Sequence, residues 1–114
     1  MKDYLFIFRN DESGSDQTPE EMQAHMAKWS VWMQGLAEDN KLIAGEPLQK
    51  EGKVVRNAGA LITDGAYAEG KEMVGGYLIV KSDTLDGAVE ISKGCPIYED
   101  GGSVEVREIM KMEM

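Results

Sequence analysis

Two stretches far apart in the chain, Leu5-Phe6-Ile7-Phe8 and Tyr77-Leu78-Ile79-Val80, are apolar at every position. Successive side chains of a strand point to opposite faces, so runs of this kind need cover on both sides of a sheet. Each is far short of the ~20 apolar residues that span a bilayer. They predict strands over residues 4–9 and 74–81, the second opened by Gly75-Gly76. Whatever else the chain does, it must shield both faces of these two strands.

Two helices are available for that work. Thr18-Pro19-Glu20-Glu21 places a capping hydroxyl, a proline at the first helical position and a glutamate three residues after the cap. Such a box satisfies the first backbone donors and sets carboxylates at the positive end of the helix dipole. Met22, Met26, Trp29, Met33 and Leu36 then recur at three- and four-residue spacing, a core-facing stripe, and the helix should fade near Asp39-Asn40. A second helix is expected from Asp83, with Leu85, Ala88, Val89 and Ile91 inward. Gly94, as a left-handed cap, and Pro96 should end it.

Further strands are predicted over residues 42–48, over 53–63 as one longer strand, and over 103–109. The polar segment from Asn10 to Gln17 reads as a loop. The order is β-α-β-β-β-α-β. It reduces to a ferredoxin-like split βαβ, an α+β fold, if the short strand over 42–48 is an extension. Both helices would cover one face of an antiparallel sheet and leave the other apolar and open. Monomers rarely expose a patch of that size, so the expected solution is a twofold homodimer packing sheet on sheet.

The chain has 114 residues, enough for a single domain over 1–114. Lys plus Arg total 12 against 21 Asp plus Glu, a net charge of −9. Without a basic cluster (Lys53 and Arg56 are an isolated pair), nucleic acid and anionic lipid are not expected partners. The N-terminal run ends at Arg9 with no small-residue cleavage site, so no signal peptide is expected. A lone Cys95 cannot form an internal disulfide and suits a reducing, cytoplasmic setting. One His and one Cys do not make a closed zinc site, and no calcium-type carboxylate loop is evident; no metal and no cofactor are expected.

The segment Thr63-Asp64-Gly65-Ala66-Tyr67-Ala68-Glu69-Gly70-Lys71-Glu72, followed by Val74-Gly75-Gly76-Tyr77, resembles the YCII-related family, in the branch named for an Asp-Gly-Pro-Phe motif. Asp64 and Gly65 match the motif, whereas Ala66 and Tyr67 replace its proline and phenylalanine. Gly45-Glu46-Pro47-Leu48, Cys95-Pro96 and Val104-Glu105-Val106-Arg107 extend the resemblance from Tyr4 to Arg107. It implies a dimeric α+β barrel of ferredoxin-like units. It also implies either acid/base chemistry on a small molecule or, through the branch's link to alternative sigma factors, an accessory role with a sigma factor as partner.

His25 is the only histidine, and its place early in the first helix resembles that of the wider family's catalytic histidine. It also suits a helix-surface position. The family's aspartate would fall where this chain has Cys95, which leaves Asp64 as the alternative acidic partner, unless Asp64-Gly65 serves only as a turn. Tyr67 and Glu69 would stand with Asp64 at a pocket mouth and orient a polar ligand. Trp29, Trp32 and Tyr77 would floor an aromatic-accepting pocket, or simply be core. Arg107 and Glu105 lie on one face of a strand, where the guanidinium could hold a ligand carboxylate or form a structural ion pair with Glu69. Two readings follow: a small-molecule enzyme performing elimination or isomerisation on a small cyclic or aromatic acid, or a non-catalytic ligand-sensing or accessory protein.

Overall fold

The computed structural model describes residues 1–11, 18–49, 51–64 and 72–112. Among the described residues, six strands and two α-helices run in the order β1 (Lys2–Asp11), α1 (Pro19–Glu38), β2 (Leu42–Pro47), β3 (Lys53–Arg56), β4 (Leu61–Asp64), β5 (Glu72–Ser82), α2 (Leu85–Ser92) and β6 (Ser103–Glu108). The main sheet has the order β2-β5-β1-β6 and every pairing in it is antiparallel. That is the ferredoxin-like order. The two runs apolar at every position, β1 and β5, are its central strands.

The strand at 42–48, expected to be the extension, is instead a true member of the sheet. The extension lies in the predicted strand over 53–63, which is two strands. Val54 pairs with Thr63 and Val55 with Ile62, forming a separate two-stranded hairpin. The reason is local. Asn57, Ala58 and Gly59 all have left-handed backbone, with φ of 53°, 54° and 99°, and consecutive positive φ values reverse an extended chain. The hairpin stands apart from the main sheet, with Val55, Leu61 and Ile62 exposed.

Helix α1 begins as its sequence dictates: the Thr18 hydroxyl accepts from the Glu21 amide at 3.1 Å, with Pro19 in the first turn. It ends on Asn40 in the left-handed region, with amide bonds from Lys41 to the Leu36 carbonyl and from Asn40 to that of Ala37. These are the two bonds of a Schellman motif. Only the lower part of the apolar stripe is core. Leu36 is buried and Trp29, Trp32 and Met33 pack against the cluster, whereas Met22 and Met26 are exposed. The cluster draws on α1 only from Trp29 onward, so the turns before it overhang.

Helix α2 is capped by Thr84, whose hydroxyl accepts from the Gly87 amide at 3.0 Å. Ala88 and Ser92 are its buried residues; Leu85 and Val89, expected inward, are exposed. Ser92 tolerates burial because its hydroxyl donates to the Val89 carbonyl at 2.7 Å. Gly94 is not a left-handed cap. Its backbone has ordinary φ, and what it provides is room: a Cβ there would lie 3.2 Å from the Trp32 Nε1.

The core sits between the helices and one sheet face. Tyr4, Phe6 and Phe8 of β1 and Leu78 and Val80 of β5 meet Leu36, Ala88, Cys95 and Ile97. By strand alternation, Leu5, Ile7, Tyr77 and Ile79 occupy the other face, where they are half-buried. Arg9 and Glu105 share that face, joined at 3.0 Å.

Candidate active site

Between α1 and the end of the sheet where β2 meets β5 lies a cavity of about 460 Å³. Ligand pockets commonly fall between about 300 and 1,000 Å³. Helix α1 provides one wall through His25, Met26, Trp29 and Met33; the sheet provides the other through Phe8, Leu78 and the glycines Gly45, Gly75 and Gly76.

The sheet wall is nearly bare backbone, for a packing reason. A Cβ on Gly45 would run into Leu78 Cδ2 and sit 2.8 Å from the Tyr77 carbonyl oxygen. On Gly76 it would sit 2.9 Å from the Glu46 carbonyl oxygen. Gly75 is the extra residue of a bulge: Phe8 pairs with Gly76 and Arg9 with Val74. A bulge increases local twist and re-aims the strand, and here it does so at the cavity.

The aromatic wall is rigid. Trp29 meets Phe8 edge-on, with ring centres 5.0 Å apart at 89°, and meets Trp32 at 5.8 Å and 81°. The Trp29 indole Nε1–H donates to Nε2 of His25 at 2.9 Å, across one helical turn. That bond needs an unprotonated Nε2 and so sets the tautomer with hydrogen on Nδ1. At the same end of α1, Lys28 Nζ meets Glu99 Oε1 at 2.6 Å. The hydrogen bond from Lys28, with the charge of Lys28 beside it, holds the Glu99 carboxyl below its usual range.

Of the residues singled out by sequence, His25 and Trp29 come together at this cavity. Tyr77 borders it along the strand but does not floor it, because its side chain alternates with Leu78 and shares the far face with Ile7. Trp32 packs behind Trp29 and borders a second, shallower groove with Gly94, Cys95 and Glu99. Arg107 is across the sheet, opposite Leu5, and lies 3.9 Å from Glu105. Asp64 ends β4, opposite Lys53 at the base of the hairpin. Tyr67 and Glu69 lie outside the described residues. Cys95 is buried, and burial pushes its thiol up to about 11.

Sequence reasoning passed over Phe8, Met26 and the glycine pair Gly45 and Gly76 as cavity residues. Glycine inside a strand marks a close approach of backbone, and that signal was present at both positions. Among the described residues no cluster of three His, Cys, Asp or Glu is placed to hold a metal. No helix among them is long and apolar enough to cross a membrane.

The pattern of the YCII-related domain matches residues 3–113. The chain belongs to the YCII-related family. No curated protein matches the sequence. Among solved structures, a similar one is the 5-chloro-2-hydroxyhydroquinone dehydrochlorinase TftG from Burkholderia phenoliruptrix AC1100, in complex with 2,5-dihydroxybenzoquinone. The two are 18% identical, with a TM-score of 0.52, over 94% of this chain and 93% of that one. At that identity the likeness establishes the α+β fold shared with a YCII-related domain.

Proposed function

We propose that this YCII-related domain is a small-molecule enzyme that performs elimination or isomerisation on a small cyclic or aromatic acid. The observation that carries the reading is the placement of the chain's single imidazole, His25, in the wall of a cavity otherwise dominated by aromatic and apolar groups. A confined, weakly polar chamber with one titratable ring is suited to binding a planar molecule and handling its proton. Asp64 is the proposed acidic partner. It lies at the base of a hairpin that leaves the main sheet just after Pro47, itself part of the cavity wall. Tyr67 and Glu69, which follow Asp64 in the sequence, are proposed to orient the polar end of the ligand, in keeping with the resemblance to the Asp-Gly-Pro-Phe branch.

The same reading includes a homodimer of single-domain subunits in the cytoplasm. Its support is the half-buried apolar row Leu5, Ile7, Tyr77 and Ile79 on the face that neither helix covers. A buried free thiol at Cys95 accords with a reducing compartment.

The test is binding and turnover. The neighbour's ligand, 2,5-dihydroxybenzoquinone, sets the size of the first compounds, with chlorinated hydroxyhydroquinones and small aromatic acids beside it. Quenching of Trp29 fluorescence reports binding, and loss of halide or of an absorbance band reports chemistry. Turnover lost in both His25→Gln and Asp64→Asn supports the reading. Turnover unchanged in His25→Gln refutes it.

A further inference from the structure

We propose that Asn10 anchors the ligand in the cavity, and that the group it takes is a pair of neighbouring ring oxygens of which at least one is a hydroxyl. This deepens, and rests on, the reading of the cavity as a site for a small cyclic or aromatic acid. Alternation along β1 sets Asn10 in the row of Tyr4, Phe6 and Phe8, on the face turned to α1. It lines the cavity and is half-buried. Its Oδ1 lies 3.7 Å from the point where a Cβ on Gly75 would stand, so the amide rests beside the bulge. The sheet around it offers Phe8, Leu78 and bare glycine, while Glu46 pairs with Tyr77 and alternates with Gly45 to the far face. Among the described residues, Asn10 is thus the polar side chain that the sheet turns toward the cavity.

An asparagine near the end of a strand commonly bonds its own backbone a residue or two further on. Here the side-chain amide has no hydrogen-bond partner among the described residues and stays open to the cavity. A primary amide holds N–H donors and a carbonyl acceptor side by side, whichever way it is turned. A ring with two neighbouring oxygens satisfies both together: one hydroxyl donates to the amide carbonyl, and the other oxygen accepts from the amide N–H. An ionised carboxylate only accepts, so it engages the N–H and leaves the carbonyl unanswered. An acid bound in this cavity therefore presents its ring oxygens to Asn10 and carries its carboxylate elsewhere.

The test is calorimetric titration of the full-length protein at pH 7 with 3,4-dihydroxybenzoate and 3,4-difluorobenzoate, acids of similar size of which only the first can donate from the ring. Wild type should bind the dihydroxy acid about tenfold more tightly, the worth of one or two neutral hydrogen bonds. Asn10→Leu, of nearly the same bulk, should erase that preference while still binding the difluoro acid. A second measurement needs no variant: the Asn10 side-chain N–H resonances of wild type should move with the dihydroxy acid and stay in place with the difluoro acid. The same preference in folded Asn10→Leu as in wild type overturns the proposal, as does an unmoved Asn10 amide when the dihydroxy acid is bound. The expected preferences without turnover of any ring compound count against the enzymatic reading and leave the role of Asn10 standing. Failure of wild type to bind either acid overturns both.

Discussion

Phe8 joins the core to the cavity, and its removal is the sharpest test of how the two are coupled. The ring is 5% exposed and has three edge-on neighbours, Phe6 at 6.4 Å, Trp29 at 5.0 Å and Trp32 at 6.3 Å. Burying such a side chain contributes about 1.5–3 kcal/mol, and each aromatic pair adds about 0.5–1.5 kcal/mol. Pair energies are not fully additive, and one side of the ring already borders open cavity, so little new dry void forms. Phe8→Ala should therefore lose about 3–4 kcal/mol, inside the usual range for such truncations. Phe8→Leu keeps most of the bulk and should lose about 1–2 kcal/mol. Urea unfolding at one fixed protein concentration, followed by tryptophan fluorescence, measures both. With a slope of about 1.5 kcal/mol per molar, the alanine variant should unfold ~2 M earlier. A loss under about 1 kcal/mol with an unchanged slope would refute the reasoning, because Phe8 would then not link the helix wall to the sheet.

Three further outcomes are expected. Thr18→Ala removes the acceptor for the Glu21 amide and should cost about 1 kcal/mol in the same unfolding assay, with Thr18→Ser near neutral. Cys95, buried with its thiol near 11, should react with a disulfide reagent at pH 8 only at the rate of protein opening, and promptly once urea unfolds the chain. Glu99 has its folded-state value lowered by Lys28, so its pairing supports the fold above the ordinary carboxylate value and is lost as pH falls through the lowered one. Lys28→Ala should therefore remove part of the acid-side slope of thermal stability while leaving the slope above pH 7 unchanged.

The parts of this fold written locally were legible in the sequence. The Thr18 cap, the apolar β1 and β5 and the stop at Asn40 are set by neighbours within a few residues, and the structure has them all. The failures required knowledge of what lies across space. Met22 and Met26 keep helical spacing with Trp29, yet whether a stripe is buried depends on how far the sheet beneath it extends. Gly94 looked like a conformational stop because glycine usually is one after a helix; its use here is to admit the Trp32 ring, which is 62 residues upstream. The split of residues 53–63 was within reach, since Asn57-Ala58-Gly59 is turn chemistry, but its apolar flanks read as one strand. His25 could be named as a candidate because the chain has no other imidazole. Its bond to Trp29 could be anticipated only as an i,i+4 neighbour, not as a contact aimed at a particular nitrogen.

The bare wall at Gly45 and Gly76 divides the cavity into an unalterable side and an adjustable one. Its position follows from the hydrogen-bonded spacing of β2 and β5, and a methyl group at either glycine meets backbone oxygen below 3 Å, so the strands would have to part before the chamber could be narrowed from that side. Met26 and Met33, by contrast, project from a helix that can accept another side chain without disturbing a single sheet bond. Variation in substrate choice among chains built this way should therefore accumulate on α1. A library intended to redirect the chamber should spend its diversity at those two methionines and leave both glycines alone.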